Sequence, residues 1–271
     1  MGDNDILDFY SGLAGFYDMV FPRDQGQLDF VRARLKQAPG TTASATVAPA
    51  ETSVQPRGRF LDVGCATGTL LADLSSDYEA SWGVDLDPDL LQRAKEKMPR
   101  DREIHLRQGD MLRIADYWPS GHFNAVTCLG NTLPHLGGMR DIRAFFKAAW
   151  KVLEDDGVFM VQLINYDRII LQQIHQLPEL ENGCVRFERY YSGIKPNGKL
   201  DFTAVLSVEP DADLPAPPFV QKNTVELFPV TEGELTPALL EAGFRDITLF
   251  GNYAGVPYSR TTFLLIAVCR K

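Results

Sequence analysis

The stretch Asp62-Val63-Gly64-Cys65-Ala66-Thr67-Gly68 most constrains what this chain can fold into. It lies between a short apolar run, RFLDVG, and a helical pattern, TLLADLSSDY. Gly64 and Gly68 let the backbone turn tightly beside a ligand. The helix that follows offers unpaired N–H groups and the positive end of its dipole. An amino-acid carboxylate fits such a site as well as a phosphate does. The spacing is not the GxGxxG dinucleotide fingerprint, because Ala66 takes the second glycine's place. Alone, the motif also reads as an ordinary strand-to-helix turn.

The rest of the chain supplies the context. ASWGVDL reads as a second strand. DPDLLQRAKEKM reads as a helix with Asp87 as its N-cap. EIHLRQGD and FNAVTCLG read as strands three and four, MRDIRAFFKAAWKVLE as an amphipathic helix, and GVFMVQLIN, after an Asp156-Gly157 turn, as strand five. Strands alternating with helices predict a parallel sheet with right-handed crossovers. After Tyr166 the pattern changes to three strand-like runs, CVRFERYYSG, KLDFTAVLSVEP and FVQKNTVELFPV, the first two joined by a KPNGK hairpin turn. The acidic run Glu179 to Glu181 reads as a solvated loop. TEGELTPALLEAGF is a helix stopped at Gly243. RDITLFG and TTFLLIAVCRK close the chain as two strands with no helix between them, which predicts a terminal antiparallel hairpin.

The expected fold is therefore α/β: a Rossmann-like, seven-stranded, mostly parallel sheet with a terminal antiparallel hairpin, plus an inserted antiparallel β subdomain. Residues 1–57 read as an N-terminal helical cap and linker. Apolar positions run through Ile6, Phe9, Leu13 and Phe16, a break falls at Phe21-Pro22, and 39–57 forms a Pro/Ala/Ser/Thr-rich loop. The core is 58–167, the insertion 168–230, and 231–271 completes the core sheet.

Acids close the successive strands in order. Asp85 ends strand two, where it can accept hydrogen bonds from ribose hydroxyls. Asp110 ends strand three, where it can accept from an adenine amino group while Leu86 and Met111 sandwich the base. Either acid taken singly also reads as a helix cap or turn residue. The ordered set resembles the S-adenosylmethionine-binding motifs of class I methyltransferases, over roughly residues 58–167 plus the closing hairpin. The resemblance implies a cofactor site built from Asp62, Gly64, Cys65, Ala66, Gly68, Asp85, Leu86, Asp110, Met111 and Leu129.

A finer resemblance lies in Cys128-Leu129-Gly130-Asn131-Thr132-Leu133-Pro134-His135-Leu136 and in Asn165-Tyr166-Asp167, which are similar to stretches of the glycine/sarcosine N-methyltransferase group. It implies Asn131 and His135 near the acceptor, and Tyr17 and Arg23 closing over the cofactor, with Tyr17 also counted as catalytic. His135 also reads as a turn cap. That group carries an arginine immediately before Asn-Tyr-Asp as a carboxylate clamp; here Ile164 stands there. The exchange predicts that glycine and sarcosine are poor acceptors, with Arg168 as the alternative cation. Of Tyr190 and Tyr191, alternation lets only one face an acceptor pocket.

The implied activity is methyl transfer from S-adenosylmethionine to N or O of a small molecule. Methylation of RNA or protein, and a non-catalytic regulatory domain, are the alternatives. The net charge of −9 weighs against a nucleic-acid partner. The four cysteines are scattered without a CxxC pair, so they read as small buried residues, and no metal is expected. No stretch reads as membrane-spanning, and the acidic amino terminus lacks a signal pattern, which predicts a cytoplasmic protein. Homo-oligomerisation is left open.

Overall fold

The computed structural model describes residues 10, 12–36, 58–210 and 217–271. The expected apolar positions Ile6 and Phe9, and the predicted loop 39–57, lie outside the described residues.

Seven strands form the first sheet: β1 (Arg59–Val63), β2 (Ala80–Asp85), β3 (Ile104–Gln108), β4 (Phe123–Cys128), β5 (Leu153–Ile164), β10 (Arg245–Phe250) and β11 (Leu264–Arg270). Their order is β10-β11-β5-β4-β1-β2-β3. Strands β1 to β5 pair in parallel, and β11 enters antiparallel between β5 and β10. The strand order thus reverses beside β1. In open α/β sheets, ligands bind outside the carboxyl ends of the strands at that switch point.

Helices α1 (Tyr17–Val20) and α2 (Gln25–Leu35) precede the sheet, divided at the expected Phe21-Pro22 break. Helices α3 (Thr69–Leu74), α4 (Pro88–Lys97), α5 (Ile114–Tyr117), α6 (Met139–Val152), α7 (Tyr166–Leu171) and α8 (Glu232–Ala242) follow. Asp87 caps α4, accepting from the backbone N–H groups of Asp89 and Leu90. Gly243 ends α8 in the left-handed conformation. Helix α6 turns Ile142, Phe145, Phe146, Ala149 and Val152 to the core, the spacing of one helical face. There Phe145 and Phe146 meet the Phe159 ring, which stacks on Phe244 at 5.1 Å.

Strand β5 is longer than its apolar run, because it continues back through the expected turn. Asp156 keeps the turn's left-handed φ of 63°. The ladder to β4 slips there, from Phe123↔Leu153 to Ala125↔Val158.

The second sheet has the order β6-β7-β8-β9, with β6 (Leu180–Asn182), β7 (Val185–Tyr191), β8 (Leu200–Val208) and β9 (Phe219–Leu227) all antiparallel. The β7–β8 turn closes through Lys195 and Gly198, at the KPNGK signal. Burial alternates with period two along β8, where Leu200, Phe202, Ala204, Leu206 and Val208 face inward. The acidic run expected as a loop is corrected: Leu180–Asn182 forms edge strand β6. Its charges suit an edge, and Glu179 pairs with Arg186 at 3.0 Å. Helix α1 docks on this sheet through Phe21 against Phe187, ring centroids 5.6 Å apart, and Asn182 Nδ2 donates to Met19 O at 3.0 Å.

Phe159 is fully buried among three other phenylalanines. Truncation to alanine leaves a cavity that the stacked rings cannot fill. Phe159→Ala should cost about 3–5 kcal/mol, read from urea unfolding midpoints at constant slope.

Candidate active site

The loop after β1 is held in an uncommon shape. Gly64, Ala66 and Gly68 all have positive φ (71°, 47° and 72°). A Cβ on Gly64 would lie 2.5 Å from the Thr132 side chain, so the glycine is needed for close approach as well as for the turn. Asp85 fixes the loop. Its Oδ2 accepts from Ala66 N at 2.8 Å and its Oδ1 from Asp87 N at 3.0 Å. Each oxygen keeps a lone pair for a further donor. Burial raises the Asp85 pKa despite these bonds.

Asp62, on β1, is 4% exposed and accepts from Thr127 Oγ1 at 2.7 Å. Burial pushes its pKa up to about 7, opposed by the Thr127 bond and reinforced by Asp85. Asp110 caps the turn after β3 through Leu112 N at 2.8 Å, as the alternative reading of that acid had it. It also lines a cavity with Asp85, Leu86 and Met111.

That cavity measures about 220 Å³. It adjoins a larger one of about 740 Å³, walled by Asp62, Cys65, Leu129, Asn131, Ile164 and residues of the second sheet. Tyr10, Tyr17, Gly64, Ala66 and His135 line both. Arg23 lines the larger cavity and pairs with Asp73 at 2.8 Å. Gly68 lines neither; its Cβ position would meet Met98 of the α4 end at 2.5 Å. Cys65 is buried, which pushes its thiol well above the usual range, as suits a packing residue.

The loop after β4 is anchored to the end of β5. Gly130 N donates to Gln162 Oε1 at 2.8 Å, and Asn131 Oδ1 accepts from Ile164 N at 3.0 Å. Asn131 Nδ2 donates to the Tyr166 hydroxyl at 3.2 Å. Most of the Asn131 side chain therefore frames the cavity. His135 Nε2 lies 3.1 Å from the Tyr10 hydroxyl, while its buried Nδ1 has no hydrogen-bond partner. Burial pushes the His135 pKa down to about 4, so the imidazole is neutral near pH 7. Tyr17 packs its ring on Phe21 at 5.0 Å; burial, then Tyr10 and Asp85, raise its hydroxyl well above the usual range.

Of the tyrosine pair, Tyr191 is buried against the cavity and Tyr190 turns to the other face, bonded to Glu188. Arg168 is absent from the cavity walls; its guanidinium lies 5.6 Å from the Phe263 ring. Sequence reasoning missed Arg189, which enters the larger cavity from β7. Its alternation with Phe187 and Tyr191 was the available signal. It also missed Asp18, which accepts from Thr67 Oγ1 at 2.6 Å and pairs with Lys97, tethering α1 to the motif loop.

A family described as a methyltransferase domain matches residues 60–157. A glycine/sarcosine N-methyltransferase of Parasynechococcus marenigrum is 29% identical over 210 residues, covering 71% of this chain and 65% of its own. A dTDP-3-amino-3,6-dideoxy-alpha-D-glucopyranose N,N-dimethyltransferase of Streptomyces fradiae is 32% identical over 103 residues, 38% of each chain. The matches thus span less than two thirds of these relatives. The crystal structure of an S-adenosylmethionine-dependent methyltransferase from Clostridium acetobutylicum superposes with a TM-score of 0.74 at 17% identity, covering 96% of this chain and 98% of that one, a likeness of fold. With strand order, motif loop and family match in agreement, residues 60–157 form a methyltransferase domain on a Rossmann-like sheet. S-adenosylmethionine is the cofactor of that family. Among the described residues no helix is long and apolar enough to cross a membrane.

The raised Asp62 pKa has a consequence for stability. Folding favours the protonated acid, so this group's contribution is most favourable below its unfolded value of 3.8 and declines as pH rises toward about 7. The loss is at most about 4 kcal/mol. Asp62→Asn keeps an acceptor for Thr127 and removes the titration. The variant should gain stability relative to wild type between pH 5 and pH 8, measured by urea unfolding at both; an unchanged difference would contradict the assignment.

Proposed function

We propose that the protein transfers the methyl group of S-adenosylmethionine to a nitrogen atom of a small molecule held in the larger cavity. The observation that carries this is the pair of adjoining cavities. One is lined by the strand-end acids Asp85 and Asp110. The other is lined by Asp62 and closed by a neutral histidine.

The residues fit the cofactor. Asp85 has lone pairs left for two ribose hydroxyls. Asp110, Leu86 and Met111 suit an adenine ring. Asp62, buried and without a cationic partner among the described residues, suits an ammonium group beside the N–H groups of the motif loop. When bound, S-adenosylmethionine supplies a methyl group already activated by its sulfonium charge. The chain's task is then to position the acceptor and exclude water, an effect worth up to about 10 kcal/mol.

The choice of nitrogen follows from His135. An imidazole pushed down to about 4 is a poor base for a hydroxyl, whereas a neutral amine brings its own lone pair and needs none. Both curated relatives described above carry N-methyltransferase names. In this reading the core 58–167, completed by 231–271, holds the cofactor. The N-terminal segment and the insertion 168–230 roof the acceptor.

Calorimetry should show S-adenosylmethionine binding, weakened about 10- to 100-fold in Asp85→Asn, which exchanges an ionised acceptor for a neutral one. Absence of binding by the wild-type protein would overturn the reading. Affinity should also rise with pH. The ammonium group needs ionised Asp62, so below about 7 each pH unit should weaken binding up to about tenfold, and Asp62→Asn should flatten the profile. With a panel of amines and the corresponding alcohols, product should form on amines; turnover confined to alcohols would argue for an oxygen acceptor.

A further inference from the structure

Strand β7 presents Val185, Phe187, Arg189 and Tyr191 to one face of its sheet. Three of these are buried and apolar or aromatic; the fourth is a cation. Arg189, half-buried, lines the larger cavity, and its Nη2 donates to Pro178 O at 2.8 Å. Its Nε is buried with no acceptor. No carboxylate among the described residues pairs with it, although many other arginines of the chain, such as Arg32, Arg143 and Arg186, have acidic partners. Holding a half-buried guanidinium without a counter-charge, one of its N–H groups unpaired, has a cost. A fixed cation aimed into a cavity is explained by a ligand that completes it.

The neighbouring wall is polar as well. The buried Tyr191 hydroxyl has no well-formed hydrogen bond, its ring lies edge-on to Tyr166 at 6.0 Å, and Tyr166 meets Asn131. At the position before Asn165, Ile164 offers only an apolar side chain, and its N–H is taken by Asn131.

We propose that Arg189 holds an anionic, oxygen-bearing group of the acceptor, a carboxylate or a phosphate ester, and thereby restricts the substrates to anionic amines. This rests on the methyl-transfer reading above. No acceptor among the described residues takes the Nε–H, and the planar fork of a guanidinium matches a carboxylate or phosphate. The anion is bound from the inserted sheet, a different element from that bearing Ile164, so the amine and the anion are set apart by the width of the cavity. Small amino acids such as glycine and sarcosine remain poor acceptors for that reason, and longer anionic amines are favoured.

The test is calorimetric titration of the S-adenosylhomocysteine-loaded protein with three matched series of graded chain length: ω-amino acids, ω-aminoalkyl phosphates and ω-amino alcohols. At least one anionic series should bind about 10- to 100-fold more tightly than the amino alcohol of equal length. Arg189→Met should abolish that advantage, and Arg189→Lys should keep part of it, as a point charge without the fork. Both variants should retain S-adenosylhomocysteine affinity, and Arg189→Met should not lower the melting temperature, since it removes a cation without a counter-charge. Preference for carboxylates or for phosphates alone identifies the group. The proposal is overturned if amino alcohols bind as tightly, if no anionic member binds, or if the preference survives in Arg189→Met. Failure of the wild-type protein to bind S-adenosylhomocysteine strikes the methyl-transfer reading itself.

Discussion

One carboxylate, that of Asp85, holds the site in shape. By accepting from Ala66 N and Asp87 N it ties the left-handed loop after β1 to the turn that starts α4. Without it, Ala66 at φ 47° would lose the bond that offsets its strain, while Gly64 and Gly68 keep their backbone bonds to Val84 O and Cys65 O. The same group lines the smaller cavity and helps to keep the hydroxyls of Tyr10 and Tyr17 protonated. A rigid frame of this kind is preorganised: the donors and acceptors that meet a ligand are fixed before it arrives.

Around that frame the protein builds two walls of different chemistry. The wall at the strand ends carries Asp62 and Asp85, whose burial raises their pKa and which gain from a cationic or hydroxyl-bearing ligand. The wall from the inserted sheet carries a cation, Arg189, and one tyrosine, Tyr191. Between them His135 is neutral and shares a hydrogen bond with Tyr10. This polarity, acid on one side and base on the other, suits a cofactor bearing positive charge and an acceptor bearing negative charge in adjoining spaces.

Much of this was legible in the sequence, for local reasons. The strand-helix alternation, the Asp87 cap, the Gly243 stop and the KPNGK turn are short-range signals, and each appears where it was expected. The acids at strand ends were legible because strand ends are where the fold puts ligands. The contributions that depend on register or on distant pairing were not. Tyr10 meets His135 across 125 positions, and Asp18 reaches Thr67 and Lys97 from a separate helix. Arg189 was hidden because its inward direction follows from which face of β7 is buried. Edge strand β6 was read as a loop because Glu181 and the adjoining Glu179 mask a β pattern that an edge tolerates.

The central claim is that the strand-end acids form one cofactor site. The most direct measurement is a crystal structure of the protein with S-adenosylhomocysteine. The account predicts density spanning both cavities, with the ribose hydroxyls on Asp85, the adenine beside Asp110 between Leu86 and Met111, and the amino-acid end at Asp62 and the Gly64–Gly68 loop. Density confined to another surface, or a ribose with no contact to Asp85, would contradict it.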